Sequence, residues 1–126
     1  MRLDDISYKA LIFEELLRSG VPTEQYAEAV QRLRGSSLQR LLELAGPAFS
    51  AHERRELQAL LQWPGCYASE GPEGRPFPPA LGDRTREELL RQAKCSGIGA
   101  YACTLLVYMD ARARAFWRFA AREHAA

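Results

Sequence analysis

Lysine is almost missing from this 126-residue chain: Lys9 and Lys94 stand beside fifteen arginines. With abundant Ala, Leu, Gly and Pro, that imbalance reads as the codon bias of a GC-rich bacterial genome. Arginine also suits bidentate contacts to carboxylate or phosphate, but composition alone does not require that use. Cysteine is scarce, and Cys66, Cys95 and Cys103 are odd in number and irregular in spacing, which excludes a disulfide framework. Long apolar runs are missing too. Ile98 to Met109 is too short for a membrane span. The opening Met1-Arg2-Leu3-Asp4-Asp5 is acidic at once, unlike a secretory leader. These absences predict a cytoplasmic protein with no membrane partner.

Histidine is the next shortage, and it bears on catalysis. His52 and His124 are the only two, and neither adjoins a serine or cysteine in a nucleophile motif. The chain has no phosphate-binding glycine loop and no HExxH. Glu14-Glu15, Glu53 with Glu56, and Glu87-Glu88 read as helix starts and solvated faces. Cys66, Cys95, Cys103 and His52 contain no CxxC or HxxxH pair to anchor zinc. No catalytic residue, cofactor or metal ligand is assigned, and the expectation is a non-enzyme.

What is present is helical periodicity. Nearly half the residues are hydrophobic and about a quarter charged, enough for one domain of this length to bury a core unaided. Ile6, Ala10, Phe13, Leu16 and Leu17 predict a first helix over about 5–19, stopped by Gly20. Thr23 predicts the cap of a second, with Tyr26, Ala27, Val30 and Leu33 inward and Gly35 at its end. Ser36 or Ser37 opens a third through Leu38, Leu41, Leu42 and Ala45, halted by Gly46-Pro47. Ser50-Ala51-His52-Glu53 is a capping box for a fourth, carrying Leu57, Leu60 and Leu61 up to Trp63-Pro64-Gly65.

From Pro64 to Gly82 the pattern breaks, with five prolines and four glycines. Tyr67, Arg75 and Phe77 mark this stretch as a partner-binding loop. Thr85-Arg86-Glu87-Glu88 repeats the capping-box pattern ahead of Leu89, Leu90 and Ala93. A last helix runs from about Ala100 to the C-terminus, with Ala102, Leu105, Leu106, Met109, Ala113, Phe116, Trp117 and Ala120 inward. The whole predicts an all-α compact bundle of five or six helices in a single domain, 1–126, with one long Pro/Gly-rich loop at about 64–82.

Two features carry functional readings. Leu89-Leu90, Cys95-Ser96-Gly97-Ile98-Gly99, Ala102 and Leu105-Leu106 together resemble a helix-hairpin-helix motif, over residues 87–107. The resemblance implies two short helices around a Gly-hydrophobic-Gly hairpin that holds a nucleic-acid phosphate without reading sequence. Where that family commonly carries proline and a basic residue, this chain has Ser96 and Ala100-Tyr101; Arg91 and Lys94 supply charge instead. Equally, Gly97 reads as a helix C-cap and Gly99 as a turn residue. The second feature is an exposed stripe of Arg112, Arg114, Arg118 and Arg122, suited to phosphate, an acidic protein surface or plain solvation. Two functions follow. The first is a small bacterial adaptor, inhibitor, immunity-type protein or small subunit that binds a protein partner; the second is a nucleic-acid-backbone binder.

Overall fold

The computed structural model describes residues 5–26, 35–63 and 78–125. They form an all-α bundle of α1 (Asp5–Arg18), α2 (Gly35–Ala45), α3 (Ala51–Gln62), α4 (Asp83–Cys95) and α5 (Ala100–Ala125), with no strand among the described residues. Short 3-10 turns occupy Thr23–Gln25 and Gly46–Ala48. Only the start of the second predicted helix is described, where Thr23–Gln25 form the 3-10 turn without a side-chain cap and Tyr26 is buried; its remainder, like most of the 64–82 loop, lies outside the described residues.

Hydrogen bonds decide where α3 and α4 begin. The Ser50 hydroxyl accepts the Glu53 N–H at 3.2 Å and the Glu53 carboxylate accepts the Ser50 N–H at 2.9 Å, so α3 begins with the expected box. The second expected box does not form. The N-cap of α4 is Gly82, whose N–H donates to Glu56 of α3 at 3.1 Å. Thr85 is therefore inside the first turn and 1% exposed. Its hydroxyl donates to Glu56 at 3.0 Å and lies 3.3 Å from Glu53. Gly35 is the first residue of α2.

α5 is the central element. Its residues from Ala102 to Ala120 are buried on nearly every side, the condition of a helix walled in by neighbours. Leu105, Leu106, Met109 and Ala113 join one core cluster with Leu38 and Leu41 of α2, Leu57 and Leu60 of α3, and Leu89 and Ala93 of α4. Val107, Ala111, Ala115, Phe116 and Phe119 join a second with Tyr8, Leu11, Ile12 and Leu16 of α1. Each fully buried Leu, Ile, Val, Met or Phe among them contributes about 1.5–3 kcal/mol, and each alanine less.

Two predicted faces are corrected. On α1 the inward stripe is Tyr8, Leu11, Ile12, Glu15 and Leu16, while Phe13 and Leu17 are 49% and 60% exposed. Two polar anchors set this rotation. The Tyr8 hydroxyl donates to the Arg112 carbonyl at 3.2 Å, and Glu15 pairs with Arg118. Phe13 instead packs edge-on against Tyr26, ring centroids 5.4 Å apart. On α5 Phe116 is buried, but Trp117 is 41% exposed. Phe116 and Phe119 fill the site on the α1 side, so the intervening Trp117 turns outward.

Candidate functional site: the glycine hairpin and its cleft

The arginines of α5 are not an exposed stripe. Arg112 is 1% exposed, its guanidinium 5.3 Å from the Trp63 ring centre and 5.8 Å from that of Tyr108. Arg114 donates to Asp110 at 2.9 Å, to the Leu81 carbonyl at 2.6 Å and to Asp83 at 3.1 Å. Fully buried Asp110 in turn accepts the Leu81 N–H at 2.9 Å and pairs with Arg86 at 3.2 Å. Arg118 pairs with Glu15 and, at 3.4 Å, with Glu14. These side chains clamp the segment entering α4 on one side of α5 and α1 on the other. Arg122 alone of the four is exposed.

The expectation that the glutamates lie on solvated faces fails for two of them: Glu15 is 6% and Glu53 5% exposed. Ser50's backbone N–H, chiefly, together with its hydroxyl and Arg84, holds the Glu53 carboxyl below the usual range against the opposing effect of burial. These carboxylates are consumed in helix-to-helix contacts rather than aimed at a reacting group. His52 is exposed, as its position suggested, and its Nε2 lies 3.1 Å from Glu56.

The hairpin between α4 and α5 leaves its backbone uncovered. α4 ends at Cys95, and Ser96 closes it with its N–H on the Gln92 carbonyl at 2.9 Å. Gly97 then takes φ 68° and Gly99 φ 91°, values that L side chains rarely adopt. A Cβ added at either would meet nothing within 4 Å, so conformation rather than crowding selects glycine here. Gly97 does serve as the residue after a helix cap, yet both glycines are also open to an approaching ligand. Ile98 between them is half-buried against the core cluster of α2 to α5, which anchors the hairpin.

Gly97 and Gly99 border a cleft of about 430 Å³. Its opposite lip is the turn after α1, Ser19 to Pro22, where Gly20 has φ 73°. Leu90, Ala93, Cys103 and Val107 form an apolar floor, and Lys94 is the one charged side chain among the described lining residues. Thr104 donates its hydroxyl to the Ala100 carbonyl at 2.8 Å and lies 3.3 Å from the Gln25 side chain, tying the lips together. Burial pushes the Cys103 thiol up, outweighing the nearby Lys94 charge, so Cys103 is held as the weakly nucleophilic thiol.

Of the residues singled out by sequence, Lys94, Gly97 and Gly99 meet at this cleft. Arg91 does not join them as a free charge, because Glu88 one turn back holds its guanidinium. Tyr67, Arg75, Phe77 and Cys66 lie outside the described residues. No three His, Cys, Asp or Glu side chains among the described residues converge as a metal site would require. No described helix is long and apolar enough to cross a membrane. No protein-family model matches the chain, and neither a curated protein nor a solved structure resembles it significantly.

Proposed function

We propose that this chain is a small non-catalytic binding protein that acts through protein–protein contacts at the cleft between the α1 turn and the α4–α5 hairpin. The observation that carries the reading is the mainly apolar, open character of that cleft at a place where the backbone is bare. Concave apolar sites with a few placed polar groups are the usual form of a binding site. Phe13 and Leu17, one turn apart on α1, add exposed apolar surface to the same molecule. Arg114 and Arg118 of α5 meanwhile spend their charge on Asp83, Asp110, Glu14 and Glu15.

Pull-down from native lysate, with and without nuclease, tests this reading. A stoichiometric protein partner retained after nuclease is the expected result. Capture that vanishes with nuclease would overturn it.

A second reading keeps one specific observation: Gly97 and Gly99 present open backbone beside exposed Lys94 and the start of a 26-residue helix. That arrangement suits a phosphate. Under it, Gly99→Val weakens nucleic-acid binding and Lys94→Gln lowers the salt slope by about one contact. Arg118 is unsuitable as a probe, because its loss would also release Glu14 and Glu15 of α1.

A further inference from the structure

Lys94 is exposed, has no ion-pair partner among the described residues, and is the one charge on a wall otherwise built of Leu90, Ala93, Cys103, Val107 and bare glycine backbone. Of the other cations described near this end of the molecule, Arg91 is held by Glu88 and Arg18 by Glu14 and Glu15. An occupant that is wholly apolar leaves the ammonium unanswered, and a cationic one is repelled by it. Among the described residues a polyanion finds a single free charge here, too few for the multiple phosphate contacts that sustain backbone binding. Charge complementarity therefore selects an apolar group carrying one carboxylate.

We propose that the cleft receives a short segment of a partner protein that inserts an aliphatic side chain on the apolar floor and sets an adjacent Asp or Glu carboxylate against Lys94. This inference rests on the protein-binding reading and specifies the chemistry of its partner. The cleft volume of about 430 Å³ lies within the range of sites that enclose small ligands, about 300–1,000 Å³. Open space at Gly97 and Gly99 lets the main chain of such a segment lie close to the hairpin. An exposed ion pair adds modestly to affinity, so Lys94 acts mainly on selectivity between partners.

The experiment is a ¹⁵N NMR titration of the full chain with two capped tetrapeptides, Ser-Leu-Glu-Ser and Ser-Leu-Gln-Ser, at low salt. The amides of Gly20, Gly97 and Gly99 should shift, with the Glu peptide about three- to fivefold tighter, the effect of one exposed charge pair. Lys94→Gln should abolish the difference, and Lys94→Glu should reverse it. Lys94 is solvent-exposed, so neither variant threatens the fold. Absence of shifts at those three glycines, or equal binding of the two peptides, would overturn the inference. So would shifts with a short oligothymidylate but neither peptide, which would transfer the site to phosphate. A nuclease-resistant partner captured equally by wild type and Lys94→Glu would sink this inference and leave the protein-binding function standing. Peptide selectivity without any such partner would overturn the protein-binding function and this inference with it, leaving a cleft that prefers a carboxylate.

Discussion

Asp110 has no solvent exposure and serves Arg86, Arg114 and the Leu81 N–H together. Removing one member of a buried ionic set leaves the others without compensation. Asp110→Ala should cost about 3 kcal/mol, the low end of the usual range, because Arg86 and Arg114 keep 21% and 26% exposure and can turn to water. Urea unfolding measures it. Phe116→Ala should cost about 3–5 kcal/mol and Trp117→Ala about 1 kcal/mol or less, in line with 4% against 41% exposure. Equal losses would show that the outward turn of Trp117 is wrong. Glu53 gives a pH signature. Its folded pKa lies below the ordinary 4.5, so its stabilisation is complete above that value and disappears as pH falls through the folded one. Glu53→Gln should therefore show a shallower decline of Tm below about pH 4.5 than the wild type; an unchanged slope would exclude the carboxylate as a source of acid sensitivity.

Among the helices, what was legible in sequence was what local chemistry decides. Ser50 and Glu53 need only each other to start α3. The stop at Gly20 and the extent of α5 follow likewise from neighbours along the chain. The same logic misplaced Thr85, because the donor that needed capping before α4 was Gly82's N–H and its acceptor, Glu56, lies 26 residues away. Thr85→Val, which keeps the shape and removes the hydroxyl, should cost about 1 kcal/mol by taking one hydrogen bond from Glu56, which keeps that of the Gly82 N–H. A neutral result would mean that Gly82 alone registers α4 on α3. The α1 face escaped for a related reason: several apolar stripes fit its periodicity, and Tyr8 and Glu15 choose between them through residues more than a hundred positions on. Deleting everything after Ala115 removes buried Phe116, Phe119 and Ala120. Loss of cooperative melting is the expected outcome; retention would demote α5 from its central place.

At the scale of the molecule, the arginine stripe was misread because sequence shows charge without showing what neutralises it. The cleft was invisible because its two lips lie about eighty residues apart, Ser19 to Pro22 against Lys94 to Thr104. Gly97 and Gly99 did mark one lip, since two glycines so close together signal unusual backbone, but nothing marked the other. This architecture also has a consequence in time. The α1 cluster and the α2–α4 cluster meet along α5, with Tyr108 of α5 and Leu90 of α4 packed against both. Such a seam lets α1 lift away while the larger cluster keeps α5 in place, a partial opening below the global one. Amide protons of α1 should then exchange with solvent sooner than those of α4. The cleft lies across this seam, with the end of α1 on one lip and α4 on the other. A molecule lodged there fastens the looser half to the firmer one, and α1 should exchange more slowly as its concentration rises above Kd, following mass action. The occupied protein would keep its shape and open less often.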